Sequence, residues 1–325
     1  MKKIFITGGA GYVGSVLTPY LLKKGYVVTV YDLFIYGNTI ENNQNLTMIK
    51  GDLRDLKLLK KSIVGHDVVI HLACISNDPS FEINPILGKE INFDSFSPLV
   101  NLSKENSIKR FIYASSSSVY GIKKEKNVHE DLSLEPLTEY SRFKADCEKI
   151  LLKAKTKNFT VSILRPATVC GFSSRQRLDL VVNLLTNLAF HKREITVFGG
   201  SQLRPNIHIS DMVRAYELFI EADKSKINGE IFNVGFENQT VDELAMMVKN
   251  VIGNDVNIKK VKSNDDRSYH ISSEKIKSIL GFKPAFTISD AISDLKNVFY
   301  EGVLRNPLFN EVYYNIKRMK SVNLK

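Results

Sequence analysis

Hydrophobic positions in the first half of the chain follow two alternating rhythms. Short, near-continuous apolar runs occur at 3–7, 27–31, 46–50, 67–72, 109–114 and 160–164. Their length and their content of Val and Ile suit strands buried on both faces. Between them, apolar residues recur every three or four positions and predict helices over 13–24, 56–63, 85–106 and 139–155, with Gly25 ending the first. Strands that alternate with helices need crossovers, and right-handed crossovers build a parallel sheet covered by helices on both faces. The expected fold is therefore α/β, doubly wound. The second half is less regular. It predicts helices over 178–191, 211–221, 240–251 and 289–300, and strands near 195–198 and 230–234. Residues 310–325 carry no helical stop signal and read as a loose tail.

The turn between the first strand and the first helix reads Thr7-Gly8-Gly9-Ala10-Gly11-Tyr12-Val13-Gly14. In that context Gly8 permits a tight turn, Gly11 lets the backbone approach a diphosphate, and Gly14 lets the helix pack on a strand. The helix N-terminus adds free N–H groups and a positive dipole. Gly8, Gly11, Tyr12, Val13 and Gly14 are thus expected to cradle a dinucleotide. Asp32 ends the second strand, where a carboxylate accepts hydrogen bonds from both ribose hydroxyls and repels a 2′-phosphate. The expected cofactor is NAD rather than NADP. The NAD-binding Rossmann domain is expected over 1–170, completed by about 206–236. That leaves 171–205 and 237–325 as a smaller C-terminal α/β substrate-binding region.

Candidate chemistry follows one βα unit later. Tyr140 and Lys144 stand four residues apart at the start of a predicted helix, hence on one face. A free phenol titrates near 10. A nearby ammonium and a positive nicotinamide ring would both lower that value and make Tyr140 a usable base. Ser115, Ser116, Ser117 and Ser118 follow the fifth strand, at the sheet end where ligands of open α/β sheets bind. A hydroxyl there can share a substrate oxygen with the tyrosine.

Charge and composition narrow the class. Lys and Arg number 45 against 35 Asp and Glu, a net charge of +10, which favours anionic ligands. The basic residues are scattered, and neither zinc-finger spacing nor an RNA-recognition signature is present, so no nucleic-acid partner and no metal site are expected. No apolar run of about 18 residues occurs, so no membrane span is expected. The first residues lack the apolar core of a signal peptide, and the expected location is the cytoplasm. Cys74, Cys147 and Cys170 are isolated and read as buried, reduced thiols.

In these features the chain resembles the extended short-chain dehydrogenase/reductases, and more narrowly the nucleotide-sugar epimerase/dehydratase family. The resemblance runs to about residue 300. It is carried in order by the glycine turn, Gly51-Asp52-Leu53-Arg54-Asp55, His71-Leu72-Ala73, Asn92, the serine run with Val119-Tyr120-Gly121, Tyr140-Ser141-Arg142-Phe143-Lys144, Leu164-Arg165-Pro166, and Arg204-Pro205-Asn206-Ile207-His208. It implies that Ser116, Tyr140 and Lys144 are catalytic. Asp52 and Leu53 would touch the adenine, and Leu72 and Ala73 the diphosphate and ribose. Asn92 would hold a water or backbone near the cofactor, Ala114 and Ser115 would lie beside it, and Pro166 and Val169 would lie near the nicotinamide. For the substrate, the resemblance implies Arg204 and Arg267 at a sugar-nucleotide diphosphate. Ser76, Ser117, Thr168, Arg177 and Asn183 are further candidates in the substrate cleft.

Two departures qualify the implied activity. Dehydratases of the family carry Thr-Asp-Glu where this chain has Ser116-Ser117-Ser118, so the acid and base for C5 deprotonation are missing. Galactose-type 4-epimerases carry Asn where Thr168 stands, which leaves sugar and base open. The resemblance implies NAD-dependent chemistry at C4 of a nucleotide-diphosphate sugar. One form is a 4-epimerase in surface-polysaccharide precursor synthesis. The alternative is a C4-dehydrogenase or 4-keto reductase with net NAD turnover. A catalytically silent NAD-binding protein is the competing class, and an intact Ser–Tyr–Lys set speaks against it. A homodimer paired through the helices near 85–106 and 139–155 is also implied.

Overall fold

A computed structural model describes residues 1–262 and 268–324. Arg267 lies outside the described residues. The six apolar runs form strands β1 (Lys3–Thr7), β2 (Val27–Asp32), β3 (Leu46–Lys50), β4 (Val68–His71), β5 (Arg110–Ala114) and β6 (Thr160–Pro166). Chain order continues through β7 (Thr168–Cys170), β8 (Glu194–Phe198), β9 (Leu203–His208), β10 (Glu230–Val234), β11 (Glu237–Thr240) and β12 (Asn257–Val261). The central sheet has seven parallel strands in the order β10-β6-β5-β4-β1-β2-β3. The order reverses between β1 and β4, and at such a switch point the loops leaving the strands diverge and open a crevice. In register, Thr7 lies opposite both Tyr31 and His71, so the loops after β1, β2 and β4 start from one level.

Both faces of this sheet are core, which explains the near-continuous apolar runs. On one side Ile4, Ile6, Val28 and Val30 pack with Leu17 and Leu21 of helix Gly14–Lys23 and with Met212, Tyr216 and Phe219 of helix Ile209–Glu221. On the other, Phe5, Tyr31, Val69 and Phe111 pack with Leu59, Leu99 and Leu151 from helices Leu56–Ser62, Phe96–Glu105 and Glu139–Ala154. Full burial of each such side chain contributes about 1.5–3 kcal/mol. Arg165 of β6 and Glu148 of helix Glu139–Ala154 form a buried ion pair, with Nη2 and Oε2 2.6 Å apart.

The remaining strands form two small sheets, β11-β9-β7 and β12-β8. Helices Val181–Lys192, Val241–Ile252 and Ile288–Tyr300 close over β8 around Val182, Leu185, Leu244, Val248 and Ile292. β7, β9, β11 and β12 depart from the expected pattern. β7 and β11 are short, at three and four residues, and β11 reads Glu237-Asn238-Gln239-Thr240, without an apolar residue. The helix expected over 85–106 is divided into Pro85–Lys89, a π-helical turn at Glu90–Asp94, and Phe96–Glu105. The described part of the segment 310–325, residues 310–324, is not a loose tail. Helix Asn315–Val322 docks through Met319 onto Ile75, Leu87 and Ile91. No described helix is long and apolar enough to cross a membrane.

Candidate active site

The glycine turn forms as its spacing predicts, but the glycines divide the work differently. Gly8 has φ +73°, and a Cβ there would lie 2.5 Å from the Ala73 backbone nitrogen, so the turn is pressed against the end of β4. A Cβ on Gly14 would lie 2.5 Å from the Gly9 carbonyl oxygen. Gly14 therefore accommodates the turn's own backbone. The close approach of turn to strand belongs to Gly9, whose Cβ would sit 2.8 Å from Val30. Gly11, Tyr12 and Val13 line the cleft at the start of the helix, where unpaired N–H groups favour an anion. Tyr12 turns its hydroxyl away and donates to the Gly171 carbonyl at 2.7 Å.

Asp32 stands at the mouth between β1 and β2. Its carboxylate accepts from Ala10 N at 3.0 Å and Phe34 N at 2.7 Å. Burial raises its pKa, opposed by those N–H groups and by Arg175. Asp52 and Leu53 line the same end. Burial also acts on Asp52, but hydrogen bonds from Arg54 hold its carboxyl below the usual range. The tight glycine turn at the start of the helix and the carboxylate at its mouth together fit NAD. Asp32→Ala is expected to narrow the preference for NAD over NADP by about tenfold, the loss of about 1.4 kcal/mol. Dissociation constants for the two cofactors check this, and an unchanged ratio would remove Asp32 from that role.

Ser116, Tyr140 and Lys144 line one cleft with this cradle, a cavity of about 380 Å³. Thr138 caps the helix that carries Tyr140 and Lys144, in a reciprocal capping box with Ser141. Lys144 Nζ donates to the Ala114 carbonyl at 2.7 Å and lies 5.8 Å from the Tyr140 ring centre. Ser116 Oγ lies 2.8 Å from Ser118 Oγ and accepts from Ser118 N. The electrostatics of the protein without cofactor set the starting point. Burial, reinforced by Cys74 and Asp78, pushes the Tyr140 phenol well above its ordinary value, while Arg177 and the Asn77 N–H only partly oppose it. In the protein alone, loss of solvent outweighs the charge of Arg177 and favours the neutral phenol.

Other expected residues fall in three groups. Leu72, Ala73, Ala114, Ser115, Pro166 and Val169 line the cleft, as do Ser76, Ser117, Thr168 and Arg177. Asn92 lies behind the wall and holds the Ile75 backbone, accepting from its N–H at 2.8 Å and donating to its carbonyl at 3.0 Å. Asn183 is a correction. It is fully buried and braces Tyr12 Oη, Gly171 N and the Arg177 carbonyl, so its polar atoms are committed inside the fold. Arg204 also stands back from the cleft, with its guanidinium 5.2 Å from the ring centre of Tyr269, which does line it. Cys147 and Cys170 are buried thiols, whereas Cys74 is only half-buried and lines the cleft.

The cleft also recruits residues that sequence reasoning missed, among them Tyr36, Asn77, Asp78, Arg175 and Asn315. The Arg175-Gln176-Arg177 alternation in a polar loop was the available signal for Arg175. Asn315 had none, because its partners lie 136 or more positions away.

Comparison with known proteins bears on this geometry. The model of the NAD dependent epimerase/dehydratase family matches residues 4–235. An uncharacterized UDP-glucose epimerase of Bacillus subtilis is 31% identical over 312 residues, covering 90% of this chain and 96% of the relative. Human dTDP-D-glucose 4,6-dehydratase is 28% identical over 306 residues, covering 87% of this chain and 85% of the relative. The crystal structure of a UDP-glucose 4-epimerase from Thermotoga maritima superposes with a TM-score of 0.85 at 24% identity, covering 93% of this chain and all of that one. With the glycine cradle, Asp32 and the Ser116–Tyr140–Lys144 cluster in a single cleft, these matches make the chain an enzyme of the NAD-dependent epimerase/dehydratase family that uses NAD as its cofactor.

Proposed function

We propose that the protein is a nucleotide-sugar 4-epimerase. The observation that carries this reading is the shared cleft. Tyr140, Lys144 and Ser116 line it together with the glycine turn and with Pro166, Thr168 and Val169, and no Asp-Glu pair follows Ser116. When bound, NAD would supply the redox chemistry at C4 and a positive charge to the cleft that Tyr140 lines. The protein's part is to orient the pyranose and to manage one proton. Tyr140 Oη takes the proton of the C4 hydroxyl, with Ser116 Oγ sharing the same oxygen. Lys144, anchored on the Ala114 carbonyl, contributes a fixed positive charge to the phenolate. Bound NAD would take and give back the C4 hydride, and Tyr140 Oη would hold the hydroxyl proton in between and return it to the same oxygen.

The same reading assigns 1–170 with about 206–236 to the cofactor and 171–205 with 237–325 to the nucleotide sugar. Ser76, Ser117, Thr168 and Arg177 are its substrate-side residues. It makes the protein a cytoplasmic homodimer that supplies precursors for surface polysaccharide. Incubation with UDP-, GDP-, CDP- and dTDP-sugars tests the reaction. The expected result is interconversion of one pair of C4 epimers without NADH accumulation. Release of a 4-ketose with stoichiometric NADH would replace the epimerase by a dehydrogenase.

A further inference from the structure

Arg175 is a buried charge that makes no ion pair among the described residues. It is 4% exposed, yet it lines the cleft. Its Nη2 donates to Asn315 Oδ1 at 2.7 Å, and its guanidinium lies 3.6 Å from the Tyr36 ring centre. Nε and Nη1 have no hydrogen-bond partner. Arg177, two residues on, pairs with Asp179 at 2.9 Å, whereas Arg175 has no such ion pair among the described residues. A buried guanidinium left in this state is unfavourable. Burial pulls its pKa down to about 10, which still leaves it charged at neutral pH.

The position of the loop indicates which anion would complete it. Ser173 Oγ donates to the Tyr12 carbonyl at 2.8 Å and lies 2.7 Å from Ser15 Oγ, and Arg175 N donates to Ser15 Oγ at 3.3 Å. The loop is thus seated on the glycine turn, and Asp32 feels the charge of Arg175. A dinucleotide brings its diphosphate to that turn. In a wall shielded from water, a fixed positive charge acts on it with little screening. We propose that Arg175 is the buried counter-charge of the cofactor's diphosphate, held in place by Asn315 as a positioning residue, so that helix Asn315–Val322 belongs to the nucleotide site. The inference rests on the NAD assignment and not on the sugar reaction.

Calorimetric titration of the nucleotide-free, full-length protein with NAD, adenosine and UDP tests this. Arg175→Gln is expected to weaken NAD about 10- to 100-fold, the range of one charge-assisted hydrogen bond, and to leave adenosine within about twofold. The salt dependence of NAD binding should become shallower. Arg175→Lys should recover part of the affinity, and it carries the test if the glutamine variant does not fold. Asn315→Ala should show a smaller loss with the same selectivity for NAD over adenosine. Equal losses for NAD and adenosine would make Arg175 a scaffold residue and overturn the proposal. So would unchanged NAD binding, or a loss confined to UDP, which would assign the charge to the substrate's diphosphate. Wild-type protein that failed to bind NAD at all would instead overturn the cofactor assignment.

Discussion

Tyr140→Phe lowers turnover by about 10²- to 10⁴-fold and leaves NAD affinity nearly unchanged; this is the expected result for loss of a general base. The substitution removes one oxygen and keeps the ring that fills the cleft wall between Cys74, Asp78 and Arg177. Binding should therefore survive where chemistry does not. The pH dependence gives a second readout. Burial raises the Tyr140 pKa in the free protein, so the phenolate is scarce at neutral pH until cofactor is bound. Wild-type turnover must then rise with pH through the pKa of the loaded site, since only the deprotonated form accepts the C4 proton. Steady-state kinetics across the neutral and alkaline range check both points. A fully active phenylalanine variant, or a flat profile, would remove Tyr140 from the chemistry.

Glu148→Ala carries the second large effect, on stability. Glu148 accepts two hydrogen bonds from Arg165, at 3.0 and 2.6 Å, and one from Ser115. Arg165 in turn donates to Tyr120 Oη at 2.8 Å, and Tyr120 donates to Asn233 of β10 at 2.7 Å. The network joins the helix of Tyr140 to β5, β6 and β10. Both charged side chains are 3% exposed, so deleting one strands the other. The expected cost is about 3–5 kcal/mol. The double replacement Glu148→Leu with Arg165→Met is expected to lose less than the single one, because it leaves no orphaned charge. Denaturant unfolding measures both, and a single-variant loss below about 1 kcal/mol would show that the pair is dispensable. Ser115 adjoins Ser116, so activity in the single variant should fall along with stability.

The parts of the molecule that were legible in the sequence are those whose causes are local. Ile4, Phe5 and Ile6 face alternate sides of the sheet, and both sides are core, so the run is apolar throughout and reads as a parallel strand. Gly8 announces itself because no other residue tolerates both its φ and its distance from Ala73. Tyr140 and Lys144 share a face by helical period alone. What stayed hidden depends on distant partners. β11 has no apolar signal because its pairing with β9 is made by backbone groups. Helix Asn315–Val322 looked structureless because few of its side chains are buried, Asn315 and Met319 alone, and polar bonds hold it elsewhere. Asn183 looked like a substrate residue, but burial commits it to Tyr12. The rise in the Tyr140 pKa was hidden for the same reason, since desolvation is a property of the assembled wall.

The C-terminal helix also has a consequence for the order in which a newly made chain acquires its ligand. Asn315 donates through Nδ2 to Ser76 and through its backbone to Asp179, and Arg318 donates to the Ile35 carbonyl. Three loops that surround the cleft are therefore tied together by residues translated long after them. During vectorial synthesis the seven-stranded sheet can form while the helix is still inside the ribosome tunnel. The nascent protein would then be folded but open, and cofactor capture would wait for this helix to emerge and dock.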